Sequence, residues 1–297
     1  SLGAQADLAM YSTSAAARDI DLVRHALGYE RLDLNAVSYG TTLGWRYIAE
    51  FPDRVHSAVF VGTVPADRTP PRFHAMAAER ALSMLQADCA RDPVCAVAFG
   101  DLGSAVSDSL RRFDGAGADM GRAIFMEKLR TLMYAPASQR SIPLLLQQAA
   151  TGDFAPFDAA TKPAGTRSFA DGLYLSLTCT ESFGHFDVNA ASIEARRTRF
   201  GDYRLARQRA ACEQWPTKAT DMGTANVRGP FQVPVLFIAG DTDPVSPPEW
   251  AAGALSAFPN GRLVVVPHGA HVFDGLSGLD TCFDRVIIEF FTRGSAR

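Results

Sequence analysis

No stretch of this sequence approaches the roughly 20 consecutive apolar residues that a bilayer-spanning helix requires, which leaves a membrane-spanning role without support. Charge of one sign is also missing. Twenty-nine Lys and Arg against 32 Asp and Glu leave a net charge of -3, so neither nucleic acid nor an anionic membrane surface is expected as a partner. The start, Ser1-Leu2-Gly3-Ala4-Gln5, lacks the basic and apolar regions of a secretory leader, although such a leader is removed from mature chains. There is no C-x-x-C pair and no Cys/His cluster, so no metal site is expected. Gly115-Ala116-Gly117-Ala118-Asp119-Met120-Gly121 is glycine-rich but has the wrong spacing for a dinucleotide loop, and it follows a helical run instead of a strand. A turn between helices is expected there, and no organic cofactor is expected anywhere.

What is present suits a globular protein. Across 297 residues, 47% hydrophobic and 21% charged content supports one large domain, or a core domain with a sizeable insertion. The five cysteines are Cys89, Cys95, Cys179, Cys212 and Cys282. Cys89 and Cys95 bracket a turn at Asp92-Pro93, which suits a local disulfide. Cys179 and Cys212 could then join two helices, leaving Cys282 unpaired. Such pairing favours a secreted or periplasmic setting; the alternative is five buried thiols in a cytosolic protein.

The most informative stretch is Leu32-Asp33-Leu34-Asn35-Ala36-Val37-Ser38-Tyr39-Gly40-Thr41-Thr42. A short apolar strand runs into Ser38, and 43–50 reads as a helix. This is the layout of a nucleophile elbow, in which a serine stands on a strained strand-to-helix turn. The strain leaves room only for small side chains two residues away on either side. Ala36 and Gly40 meet that need, with alanine replacing the glycine of the usual G-x-S-x-G. Alone, the pentapeptide is a weak signal, because such strings are common in ordinary turns. Two later runs strengthen it. Val233-Pro234-Val235-Leu236-Phe237-Ile238-Ala239-Gly240 precedes Asp241-Thr242-Asp243-Pro244, and the run 262–266 precedes Pro267-His268-Gly269-Ala270-His271. A serine, an acid and a histidine, each after a strand and in that order, is the arrangement used by α/β-hydrolases. Parallel strands bring their C-terminal ends to one sheet edge, where such residues converge.

Between these parts the pattern changes. Helix-like spacing covers 14–27, and a strand is expected at 55–61. From 63 to 228, amphipathic helices are expected over 71–87, 94–113, 122–134, 142–151, 167–179 and 191–213, with no comparable strand alternation. Core helices are expected at 248–257 and 282–292. The fold class is therefore α/β: a mostly parallel hydrolase core made of 1–62 and 229–297, with a large helical cap inserted at 63–228.

Together, Tyr11-Ser12-Thr13, Arg24-His25-Ala26-Leu27-Gly28-Tyr29-Glu30, Val37-Ser38-Tyr39-Gly40-Thr41-Thr42 and Phe51-Pro52-Asp53-Arg54-Val55 resemble the bacterial tripeptidyl-aminopeptidase and prolyl-aminopeptidase-like α/β-hydrolases. So do Thr178-Cys179-Thr180-Glu181, Gly240-Asp241-Thr242-Asp243-Pro244-Val245-Ser246-Pro247-Pro248-Glu249-Trp250 and Gly269-Ala270-His271. The resemblance covers nearly the whole chain. It implies a serine hydrolase cleaving near the free N-terminus of peptides, or a general esterase. It implies Ser38 as nucleophile, Asp243 as acid over the rival Asp241, and His271 as base over the rival His268. It also implies that Glu181, at the end of a cap helix, holds a substrate ammonium; a solvent-facing or helix-terminal glutamate is the plain alternative.

Such relatives normally carry about four strands before the elbow, and a loop of the H-G-G-P-G kind gives the oxyanion hole one backbone N–H. Only a short polar lead precedes residue 14, so those strands are expected to be absent, leaving a truncated core. The Tyr39 N–H should remain as an oxyanion donor without its usual companion, a loss worth about 10²–10³ in rate. That tilts the expectation towards small acyl esters, with exopeptidase action or a catalytically inactive partner chain as alternatives. The elbow strand should present an open edge. A homodimer, or a separate chain supplying the missing strands, is expected to cover it.

Overall fold

Apolar runs near the two ends of the chain build a single sheet in the structure, a computed structural model that describes residues 5–65, 67–162, 170–216 and 227–294. Helix α1 (Thr13–Ala26) leads into strand β1 (Leu32–Val37), helix α2 (Tyr39–Glu50) and strand β2 (Val55–Val61). Ser12 starts α1 by accepting a hydrogen bond from the Ala15 N–H, a side-chain N-cap. Helix α2 begins at Tyr39, earlier than the periodicity suggests, because the elbow turns straight into the helix.

Ten helices of the described residues follow: α3 (His74–Arg91), α4 (Pro93–Phe99), α5 (Leu102–Arg111), α6 (Ala118–Leu132), α7 (Pro136–Gln139), α8 (Ile142–Thr151), α9 (Ala155–Ala160), α10 (Asp171–Glu181), α11 (Val188–Ala195) and α12 (Tyr203–Cys212). Then come β3 (Val235–Gly240), α13 (Pro248–Ala254), β4 (Arg262–Val266) and α14 (Leu279–Arg293). The helix expected over 94–113 is two helices. The chain turns at Gly100, and Asp101 accepts from the Gly103 and Ser104 N–H groups to start α5. The helix expected over 191–213 also divides, into α11 and α12. Each break falls at a glycine followed by an N-cap aspartate, Gly100-Asp101 and Gly201-Asp202. Of the helix expected over 167–179, residues 167–169 lie outside the described residues, and α10 runs on to Glu181.

All four strands are parallel, in the order β1-β2-β3-β4. Val37 pairs with Val61, Val61 with Ile238, and Gly240 with Val266, so every strand delivers its C-terminal end to the same edge. Two apolar layers cover the sheet. Trp45, Tyr47, Phe60, Phe237 and Phe258 pack on one face, and Val59, Leu236, Ile238 and Phe290 on the other. Each such buried side chain contributes about 1.5–3 kcal/mol through apolar burial. A third cluster, including Leu82, Met126, Leu129, Met133 and Phe157, lies within the helical segment. Among the described residues β1 has no strand on its second side.

Cys89–Cys95 and Cys179–Cys212 are disulfides, and Cys282 is free and exposed. No helix of the described residues is long and apolar enough to cross a membrane.

Candidate active site

Ser38 sits at φ 55° and ψ -124°, a conformation that a non-glycine residue adopts only when its surroundings impose it. Those surroundings are specific. The Ser38 N–H donates to the Val61 carbonyl at 2.9 Å, extending the ladder beyond β1. Buried Thr41 donates its hydroxyl to the Ser38 carbonyl at 2.6 Å and accepts from the Val64 N–H at 2.9 Å. The elbow is thus latched to the loop after β2. A Cβ placed on Gly40 would lie 3.7 Å from the Ala36 methyl, so the small pair at these positions leaves contact distance and no more.

The acid and the base come from the loops after β3 and β4. Asp243 is fully buried, and its Oδ1 accepts from the Val245 and Ser246 N–H groups at 2.7 and 2.9 Å. Its Oδ2 lies 2.9 Å from His271 Nδ1 and accepts from the Ser246 hydroxyl at 2.8 Å. Because the carboxylate only accepts, the imidazole proton sits on Nδ1. Nε2 is then left to accept from the Ser38 hydroxyl, 2.8 Å away. Gly240 lets the two loops meet: a Cβ there would come within 2.3 Å of the Ala270 carbonyl oxygen. Gly62, at φ 60°, turns the end of β2 beneath the imidazole, where a Cβ would sit 3.1 Å from His271 Cε1.

These side chains open onto a cavity of about 260 Å³, lined by Ser38, Tyr39, His271, Tyr134, Leu177 and Glu181 among others. The Tyr39 N–H belongs to the first turn of α2, where backbone donors lack intrahelical partners and the helix dipole is positive. Burial pushes the Tyr39 phenol up to about 12, although part of the residue remains exposed, and its hydroxyl lies 3.0 Å from Thr13 Oγ1. Glu181 accepts from the Thr13 N–H and hydroxyl at 2.5 and 2.6 Å. Burial raises its carboxyl above the ordinary value, against the opposing pull of Thr13 and Arg46. The Tyr134 ring stands edge-on to His271, 5.3 Å between centroids.

The structure brings Ser38, Asp243 and His271 together and puts Tyr39 and Glu181 on the same cavity. It leaves the two rivals outside. His268 is exposed and pairs with Asp88 at 3.2 Å. The Asp241 carboxyl, raised chiefly by burial, accepts from the His268 backbone. Sequence reasoning missed Ser246 and Thr41. The Asp-Pro-Val-Ser spacing carries a signal for Ser246, since an Asp side chain in a turn bonds backbone groups two and three residues on. Among the described residues no group of His, Cys, Asp and Glu could hold a metal ion.

A serine on a strand-to-helix turn, backed by a histidine and an acid from later strand ends, defines an α/β hydrolase. Residues 4–273 match the family described as the alpha/beta hydrolase fold, and the chain belongs to that family. It is 27% identical to the tripeptidyl aminopeptidase of Streptomyces coelicolor, over 96% of this chain and 56% of that one. It is 26% identical to serine protease Hip1 of Mycobacterium tuberculosis, over 97% of this chain and 61% of that one. The chain thus spans little more than half the length of these relatives. Among solved structures it resembles MGS-M2, an alpha/beta hydrolase enzyme from a deep-sea metagenome library. That match has 13% identity and a TM-score of 0.42, covering 97% of this chain and 74% of that one.

Proposed function

We propose that this chain is a serine hydrolase that opens small carboxylic esters through an acyl-enzyme on Ser38. The observation that carries this reading is the unbroken hydrogen-bond chain from Ser38 through His271 to Asp243 beside a cavity. His271 Nε2 takes the Ser38 hydroxyl proton as the oxygen attacks the ester carbonyl. Asp243 holds the ring and stabilises the imidazolium that results. The tetrahedral oxyanion is met by the Tyr39 N–H at the positive end of α2. His271 then protonates the departing alcohol, and a water activated by the same nitrogen releases the acid and restores Ser38. The helical segment 63–228 serves as a cap that supplies one wall of the cavity. Turnover of p-nitrophenyl acetate that disappears in Ser38→Ala tests the proposal.

A second reading, an exopeptidase acting at a free N-terminus, is favoured by Glu181. A partly buried carboxylate on the wall of the nucleophile's cavity suits a substrate ammonium, which would offset the cost of burying its charge. The names of the tripeptidyl aminopeptidase and serine protease relatives support the same direction. Cleavage of a free-amine peptidyl-naphthylamide in preference to its N-acetylated form would establish it.

A further inference from the structure

The wall of the Ser38 cavity contains a charge that the proposed chemistry does not use. Arg204 of α12 lines the cavity, and so does His74, the first residue of α3. Arg204 Nε donates to His74 Nδ1 at 2.9 Å, and Arg204 Nη1 donates to Glu127 Oε1 at 2.7 Å. Both ends of the guanidinium fork are therefore fixed by buried or half-buried partners. Among the described residues no hydrogen-bond partner reaches Nη2.

We propose that Arg204, held in place by His74 and Glu127, is a carboxylate-binding subsite of this cavity, so that its substrates carry an anionic group as well as the scissile acyl bond. The inference rests on the hydrolase reading. Three observations support it. The first is a count of charge. Glu127 is already matched by Arg130, which chelates both its oxygens, so the charge of Arg204 is surplus within the cluster. His74 adds no charge of its own to the cluster: burial, with the neighbouring Arg204 and Arg130 charges, pushes its pKa well below the ordinary value, and it serves as an acceptor for Arg204 Nε.

The second is the distribution of acids. Glu181 is the carboxylate on the cavity wall, and it is engaged by Thr13, with Arg46 as its charged neighbour. Asp171 lies with Arg207 along a separate opening on the other side of Arg204. The third is the medium. Pro70, Leu177, Val245 and Trp250 make much of the remaining wall apolar, which strengthens a charge-assisted bond from the remaining Nη2 of the anchored guanidinium. Arg68 is a second cation on the wall, but its guanidinium lies over Phe73 at 5.2 Å and beside exposed Asp67 at 3.8 Å.

Matched esters test the subsite. p-Nitrophenyl hemiglutarate against p-nitrophenyl pentanoate places a carboxylate on the acyl side. 4-Carboxyphenyl pentanoate against 4-carbamoylphenyl pentanoate places it on the leaving side. In one of the two pairs the anionic ester should have the higher kcat/KM. That preference should fall at least tenfold in Arg204→Gln and be largely kept in Arg204→Lys. A preference that Arg204→Gln leaves untouched, or that Arg68→Gln alone removes, would overturn the proposal, as would no preference in either pair. Failure to turn over any of the four esters would instead count against the hydrolase reading. Binding then decides the subsite on its own. Ser38→Ala protein titrated calorimetrically should bind monomethyl glutarate at least tenfold more tightly than dimethyl glutarate. Equal affinities, or a difference that persists after adding Arg204→Gln, would overturn it.

Discussion

Thr13 at the start of α1 holds both oxygens of Glu181 at the end of α10, through its N–H at 2.5 Å and its hydroxyl at 2.6 Å. The contact ties the sheet-side helix to the helical segment across the cavity that contains Ser38. Burial raises the Glu181 carboxyl above the ordinary 4.5, while the two bonds from Thr13 and the charge of Arg46 pull the other way. The sign of the consequence follows directly. Above that raised pKa Glu181 is a carboxylate able to hold an ammonium; as pH falls through it, the charge is lost. The KM for a free-amine peptide should therefore rise on acidification in the wild type. Glu181→Gln should show the high KM at every pH. Steady-state kinetics across the acidic range would read this, and a wild-type KM that stays flat would remove Glu181 from the ammonium-binding role.

Ser246 should matter to the reaction without touching substrate. Its hydroxyl bonds Asp243 at 2.8 Å and lies 3.2 Å from His271 Nδ1, inside a fully buried group. Losing one bond to a buried carboxylate costs about 1.5–3 kcal/mol, so Ser246→Ala should lower kcat by roughly 10-fold or more. The triad replacements should cost far more, on the order of 10⁴ or above, with Asp243→Asn the mildest of the three. A fully active Asp243→Asn beside an inactive Asp241→Asn would reassign the acid.

Much of this site could be read from the sequence, and the reason is local. β1, β2 and β4 have the bounds that their apolar runs predict, and the residues after them, Ser38 and His271, stand at the expected sheet edge. A strand that ends in a functional loop leaves its mark within a few neighbouring residues. The parts that stayed hidden depend on contacts distant in sequence. Thr13 and Glu181 are 168 residues apart, and nothing near either residue announces the other. The grouping of Arg204 with His74 and Glu127 is of the same kind, since side chains on α3, α6 and α12 meet only after packing. The breaks at Gly100 and Gly201 are different: each carries a local mark, a glycine followed by an N-cap aspartate, that apolar spacing alone does not weigh.

The Cys179–Cys212 bond links α10, which ends in Glu181, to α12, which carries Arg204. It closes a loop with a sequence separation of 33 residues, for which chain entropy gives about 3–4 kcal/mol. Cys179→Ser with Cys212→Ser should lower the Tm measured by calorimetry and change KM more than kcat, because the two helices line the cavity. An unchanged Tm and KM would show that packing alone fixes them.

The open side of β1 leads to a further proposal. Among the described residues no strand pairs with the outer side of β1, and Val37 of that strand, Leu22 and Val23 of α1 and Leu27 just after it are exposed apolar residues. Such an edge invites association. We propose that a second copy of this chain covers it, the commoner solution among soluble oligomers. Light scattering of the purified chain at micromolar concentration should give the mass of a dimer. A monodisperse monomer at that concentration would rule out self-pairing.

Active-site labelling tests the central claim most directly. Purified chain treated with a fluorophosphonate should gain one adduct by intact mass, located on Ser38 by peptide mapping. The reaction should be lost in Ser38→Ala and strongly slowed in His271→Ala, because the hydroxyl is activated only through the imidazole. A folded protein that takes no label, or one labelled equally well in His271→Ala, would contradict the assignment of Ser38 and His271 as an activated nucleophile and its base.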